Sequence, residues 1–299
     1  MSDSSSSSPA VDRSPLLALL ALVFIWGYNW VVMKLGVQYA SPLDYAALRS
    51  ALGGIGLWLV LWIARKPLWP QVWLGTALTG FLQTTGFYGL TSLALASGEA
   101  SKAAILNYAM PFWVLLLAWP MLGERLRRWQ ILAVVVALVG LVLILMPLRL
   151  GEDLQSKGLA FLSSLSWAAG IIVAKKLQQR QPLDVLSFTT WQMLLGSLPL
   201  VLLAWGIPSP TIEWSLPFWG VLLYSVIPST MVAWLLWFYA LSRLPAGMAG
   251  LGTLATPVVG VLAAAWQLGE QPTPLETLGM TFILLALLLN TVVILSPQR

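Results

Sequence analysis

The 299-residue chain contains no histidine and no cysteine. That removes imidazole bases, thiol nucleophiles, Ser-His-Asp triads, disulfide frames and the usual zinc sites. Charge is also scarce, at 9% of residues, against the roughly 25% of a soluble domain. A chain so poor in charge has too little polar surface to face water on every side. Its net charge of +5 comes from few residues scattered along the sequence, which does not make the basic patch that a nucleic acid needs. No Gly-rich Lys-Ser/Thr loop is present to cradle a nucleotide phosphate. No paired carboxylates fall at depth in an apolar stretch, so an intramembrane enzyme is not expected either. What fills the chain is apolar: 59% hydrophobic residues and 17 tryptophans, with a mean hydropathy of +0.83. These are the proportions of a polytopic membrane protein.

A membrane helix needs about 20 mainly apolar residues. Ten stretches qualify: 15–33, 43–64, 72–96, 100–122, 130–146, 158–174, 185–204, 216–241, 246–268 and 274–295. Turn or charge clusters break them, such as Ser41-Pro42, Arg65-Lys66-Pro67, Gly123-Glu124-Arg125 and Gln181-Pro182, because proline and glycine end helices. Residues 1–14 hold the serine run Ser4–Ser8 and have nothing to bury, so they read as a disordered tail. They lack the basic region and cleavage site of a signal peptide. Lysine and arginine set the orientation. With the N-terminus inside, eleven of them fall on the cytoplasmic side and four outside, while Arg49 lies within the second stretch. Both termini are therefore expected in the cytoplasm, with the chain in a bacterial inner membrane.

The two halves resemble each other. Residues 94–124 lie on 240–270 without gaps, with about eleven of roughly thirty positions identical, Pro111 on Pro257 and Leu122-Gly123-Glu124 on Leu268-Gly269-Glu270 among them. The same register puts Trp73 on Trp219 and Thr84 on Thr230, and with one gap Trp26 to Pro42-Leu43-Asp44 matches Trp167 to Pro182-Leu183-Asp184. Five spans per half is an odd number, so the second half enters from the opposite face. The expectation is an all-α polytopic membrane protein of ten transmembrane helices forming two inverted five-helix repeats, over 15–148 and 149–299. Such repeats place a binding site near the midplane between them.

Two Ala-Leu…Pro…Leu-Gly-Glu strings carry a further reading: Leu93-Ala94-Leu95 through Pro111 to Leu122-Gly123-Glu124-Arg125, and Tyr239-Ala240-Leu241-Ser242 through Pro257 to Leu268-Gly269-Glu270. With Phe24-Ile25-Trp26-Gly27 and the Pro42…Arg49 stretch, the chain from Leu16 to Leu295 resembles the EamA-type drug/metabolite transporters. Within that superfamily it is most similar to bacterial exporters of aromatic and other neutral amino acids. The resemblance implies export from the cytoplasm through a central cavity lined mainly by helices 1, 3, 4, 6, 8 and 9. Any family mechanism that uses histidine does not transfer.

Polar groups in hydrocarbon are costly unless they face protein or water, so those deep in the spans are the candidates for a site. They are Trp26 and Asn29 in helix 1, Gln83 and Tyr88 in helix 3, Asn107 and Tyr108 in helix 4, Trp167 in helix 6, and Tyr224, Trp234 and Tyr239 in helix 8. Aromatic faces can hold an ammonium, and Asn or Gln amides can serve a carboxylate and an ammonium alike. A neutral lining suits a zwitterion better than a phosphate, which calls for lysine or arginine clusters. Arg49 reads as a structural residue that snorkels or pairs with Asp44. Glu99 and Lys102 are spaced for a local pair, or stand at the outer mouth. Glu124 and Glu270 sit at helix ends, suited to an ion pair or a helix N-terminus. Trp58, Trp62, Trp69, Trp73, Trp113 and Trp119 are expected in the interfacial belts. The expected partners are a small-molecule substrate, amino acids foremost, and the lipid bilayer, with no cofactor, no nucleic acid and a monomeric chain. The alternative is a broad efflux carrier for drugs or hydrophobic cations, which calls for an unpaired acid in the cavity.

Overall fold

The computed structural model describes residues 13–97, 107, 109–125, 128–145, 154–268 and 273–295. Residues 1–12 of the expected tail, and Glu99, Lys102, Tyr108 and Glu270, lie outside the described residues. Every regular element among the described residues is helical: α1 Ser14–Gly36, α2 Pro42–Ile63, α3 Trp73–Gly80, α4 Phe87–Ser97, α5 Met110–Leu122, α6 Arg128–Leu145, α7 Leu154–Arg180, α8 Val185–Gly206, α9 Leu216–Tyr224, α10 Ala233–Arg243, α11 Ala246–Gly252, α12 Ala255–Leu268 and α13 Pro274–Leu295. A π-helical segment, Phe81–Gly86, joins α3 to α4, and another, Ser225–Val232, joins α9 to α10. Six helices are long and apolar enough to cross a membrane, and three shorter ones are apolar as well. Large apolar side chains such as Leu74, Trp205, Leu216 and Trp266 stand fully exposed on the outside, which suits lipid and not water.

The helix ends follow from local chemistry. Ser41 accepts a hydrogen bond from the Asp44 backbone N–H ahead of Pro42, and Asp184 accepts one from that of Ser187. These caps satisfy amides that have no partner in the first turn, and proline is already set for that position. Gly123 ends α5 in the left-handed region, at φ 69°, where a Cβ would be strained. The Asp184 carboxyl also takes the Lys66 ammonium at 2.6 Å. Partial burial alone would raise its pKa, but the bonds from Lys66 and the backbone amides hold it below the ordinary carboxylate value. A depressed pKa gives stability that is present at neutral pH and is lost as the pH falls through the acid range.

The two halves are intertwined. α1 packs on α10 and α12 of the second half, while α7 packs on α4 and α5 of the first. α2 pairs with α8, and α6 with α13. The π segments share the repeat register, since Thr84 and Thr230 fall within them. Each is gripped by the second helix of the other half: α8 lies on Phe81–Gly86 and α2 on Ser225–Val232. Carbonyls in these segments gain extra donors. Ser166 Oγ donates to Leu82 O at 2.8 Å, Trp26 Nε1 to Ser229 O at 3.0 Å, and Thr230 Oγ1 to Ser225 O at 2.7 Å. Irregular helix at this depth persists because protein groups satisfy its backbone.

Backbones approach closely where glycine allows it. A Cβ on Gly80 would fall on Gln192 O, and one on Gly196 on Gly80 O, both closer than real Cβ contacts. We expect Gly80→Ala to cost about 1–3 kcal/mol through overpacking and to lower the detergent melting temperature. Gly220→Ala should leave the melt unchanged, because a Cβ there meets open space. Asp184→Asn should cost under about 1 kcal/mol at neutral pH, since its ion pair is partly exposed. That difference should vanish as the pH is lowered.

Candidate functional site: an aromatic-floored cavity

One cavity lies between the halves. It is walled by residues from α1, α2, α4, α5, α7, α10 and α12, with Asn107 and Thr253 beside them. The space open to the centre of a water molecule is about 80 Å³, where a single water needs about 10–15 Å³. The cavity therefore holds several waters or a small solute. Its lining reaches Trp30 and Met33 on α1, Val37 just after it, and Pro42, Tyr45 and Arg49 on α2, so it extends to the α1–α2 turn.

The floor is aromatic. The Trp26 ring meets Trp167 and Trp234 edge-on, each at a centroid distance of 5.6 Å. Phe87 lies against Trp167 at 4.5 Å. Trp234 Nε1 donates to the Tyr88 hydroxyl at 2.8 Å. Trp26 and Trp167 occupy matching repeat positions, and so do Tyr88 and Trp234; the floor is two such pairs in contact. Edge-to-face pairs of this kind add stability beyond the area they bury.

Polar atoms stand above the floor. Asn107 Nδ2 donates to Thr91 Oγ1 at 3.2 Å, and Thr91 shares a 2.7 Å hydrogen bond with Ser163. Asn29 Oδ1, Asn107 Oδ1, Thr256 Oγ1 and Trp167 Nε1 are buried with no hydrogen-bond partner among the described residues. Buried polar atoms without a partner among the described residues also occur away from the cavity, at Gln83, Gln178, Ser187, Gln192, Trp237 and Asn290.

Six of the ten candidate residues read from the sequence share this wall: Trp26, Asn29, Tyr88, Asn107, Trp167 and Trp234. Gln83 is fully buried elsewhere, its side chain under Gly170 of α7. Tyr224 donates its hydroxyl to Ile25 O at 2.9 Å and meets Tyr28 edge-on. Tyr239 bonds Ser14 at 2.6 Å. Tyr224 and Tyr239 tie helices together away from the cavity, the Gln83 amide has no hydrogen-bond partner among the described residues, and Tyr108 lies outside them. Arg49 departs from its expected role. Its Nη2 donates to Ser229 Oγ at 2.9 Å and its guanidinium lies over the Tyr88 ring at 5.0 Å. Asp44 instead accepts from Ser41 and Ser209 hydroxyls. Of the tryptophans expected in the belts, Trp62, Trp69, Trp73 and Trp119 are exposed, whereas Trp113 turns inward to donate to Ser164 Oγ. Arg49 was detectable as a charge two turns into an apolar stretch with no acid three or four residues away. Tyr45 precedes it by one turn on the same face.

Below the floor the protein is shut. Trp237, Phe238 and Leu241 are fully buried. Lys175 Nζ donates to Leu241 O and Leu244 O, both at 2.6 Å, at the C-terminal end of α10. The Glu124 carboxylate accepts from the Ala246 and Gly247 amides, at 2.9 and 3.2 Å, at the start of α11. One turn is thus held at both ends by opposite charges, each on the helix end whose dipole favours it. Lys175→Met leaves two buried carbonyls without a donor, a cost of about 1–3 kcal/mol. In this cysteine-free chain we expect a single cysteine at Ala249, fully buried in the native protein, to react faster with maleimide once Lys175 is replaced.

Comparison with known proteins gives the fold and the site a context. A solved crystal structure superposes with a TM-score of 0.81 at 17% identity, over 94% of this chain and 97% of that one. A "Probable amino-acid metabolite efflux pump" of Salmonella typhimurium is 30% identical over 290 residues, spanning 93% of this chain and 94% of the relative. "Uncharacterized transporter YoaV" of Bacillus subtilis is 27% identical over 282 residues, spanning 92% and 96%. The family described as EamA-like transporters matches twice, over residues 13–146 and again over 157–292. Two tandem matches covering nearly the whole sequence make this multi-pass membrane protein a member of the EamA-like transporter family, within the drug/metabolite transporter superfamily.

Proposed function

We propose that the chain is a secondary exporter of small neutral metabolites, with aromatic or apolar amino acids as the favoured cargo. It works by alternating access through the cavity between two inverted five-helix repeats, 15–148 and 149–299. The observation that carries this reading is the cavity wall itself. Rings from both halves make an apolar, π-rich floor, and bare amide oxygens stand above it. Rings pack an apolar side chain and attract an ammonium; the amide oxygens accept from that ammonium. The efflux-pump names of the enteric relatives support the same cargo class.

Ten spans with both termini cytoplasmic, in a bacterial inner membrane, give the cavity a direction. α1 then runs outward, its C-terminal half and the start of α2 form the outer mouth, and the Lys175–Glu124 turn closes the cytoplasmic side. In this orientation the conformation is read as outward-facing. Its single wall charge is the cation Arg49 among the described residues, which counts against hydrophobic cations as cargo. The chain acts alone in this scheme, with no cofactor and no covalent step.

The test is counterflow of labelled amino acids in proteoliposomes, first without an ion gradient and then with a pH gradient. Aromatic or aliphatic amino acids should exchange without a gradient. Trp26→Ala and Trp167→Ala should each slow that exchange by about tenfold, the loss of roughly 1.4 kcal/mol of cargo contact, while insertion and folding are kept. Normal exchange by both variants would remove the aromatic floor from the cargo site, and exchange of hydrophobic cations alone would favour the drug-efflux alternative.

A further inference from the structure

We infer that Arg49 is the carboxylate anchor of the cavity, so that an acid group on the cargo is the feature this site selects. The inference rests on the cavity being the cargo site and deepens that reading. Arg49 is 4% exposed yet lies on the cavity wall. Guanidinium does not give up its proton in a protein, so this is a permanent charge held away from bulk water. Buried charges ordinarily have an opposite charge beside them, because desolvation is otherwise uncompensated. Here the partners are a neutral hydroxyl, Ser229 Oγ at 2.9 Å, and the face of Tyr88. Nε has no acceptor among the described residues. No carboxylate pairs with it among the described residues, and Asp44 is taken up by Ser41 and Ser209.

The surroundings hold the group in place without neutralising it. Ser229 belongs to the π segment between α9 and α10, and its carbonyl accepts from Trp26 Nε1 while its hydroxyl accepts from Arg49. One residue therefore locates both the cation and the central ring of the floor. One turn before Arg49, the hydroxyl of Tyr45 bonds Ser225 of the same segment. A planar fork whose Nε has no acceptor among the described residues, fixed beside an aromatic floor, matches a carboxylate in two-point geometry. The bare oxygens Asn29 Oδ1 and Asn107 Oδ1 on the opposite polarity are left for an ammonium. Donor and acceptor sets of this kind fit the two ends of an α-amino acid, and the cation rejects an amine that lacks the acid.

Ligand binding to the purified full-length protein tests this without requiring transport. The probes are L-tryptophan, its methyl ester, tryptamine and indole-3-propionate, compared by calorimetry for the native chain, Arg49→Lys and Arg49→Gln. Thermal melts accompany each variant to confirm folding. The native protein should bind the two acids about tenfold or more tighter than the ester or the amine. Arg49→Gln should erase that preference, and Arg49→Lys should keep part of it, with a charge but no fork. Binding of indole-3-propionate but not L-tryptophan, lost in Arg49→Gln, would support the anchor and count against amino acids as cargo. Ester or amine binding as tight as the acid in the native protein overturns the anchor whether or not the variants fold. Unchanged acid preference in folded Arg49→Gln overturns it equally, and binding of none of the four overturns the anchor together with the amino-acid reading.

Discussion

In hydrocarbon, a polar group must find its partner within the protein, and this structure depends on that constraint throughout. Water is not there to take up a loose carbonyl or amide. The two π-helical segments are the test case, because they interrupt regular helix in the middle of the chain's two halves. Each is held by α2 or α8 of the other half and by side chains from α1 or α7. The halves are thus bound to one another through the backbone each cannot satisfy alone. The glycines that let α8 approach the first π segment have no room for a methyl group. The constraint is not met everywhere: buried atoms without a partner among the described residues occur both at the cavity lining, as in Asn29 and Asn107, and away from it, as in Gln83 and Gln192.

Much of this was legible in the sequence because it rests on local rules. Tryptophans at matching repeat positions, Trp26 and Trp167, come into contact. Ser41 and Asp184 cap helices ahead of apolar runs, and Gly123 marks the end of α5 through its positive φ. Glu124 at a helix end was open between an ion pair and a helix N-terminus, and it takes the N-terminus of α11.

What the sequence concealed depends on which helix lies opposite. Gln83, Tyr224 and Tyr239 are polar and deep, as cavity residues would be, yet each faces a neighbouring helix. No pattern along one strand of sequence distinguishes the two cases. The first π segment has no proline to announce it, unlike the second with Pro228. Arg49 was read against Asp44 because the two are near in sequence. Five residues along a helix is about 500° of rotation at 3.6 residues per turn, so the two side chains point away from each other, and the acid found its donors at the surface instead.

The closed end bears on how such a carrier can change state. Lys175 and Glu124 grip one turn, and the register that pairs Trp26 with Trp167 also pairs Lys34 with Lys175, as that of the Leu-Gly-Glu strings pairs Glu124 with Glu270. In the inverted-repeat reading proposed above, the same two charge types are written once for each side of the membrane. In that reading, opening the cytoplasmic side would cost the bonds of the Lys175 and Glu124 set. Two states built from equivalent contacts would lie close in free energy, and a ligand would then need only a modest difference in affinity to shift the balance between them. In the inference drawn above, an acid bound at Arg49 would supply such a difference, because it would offset the desolvation of the guanidinium.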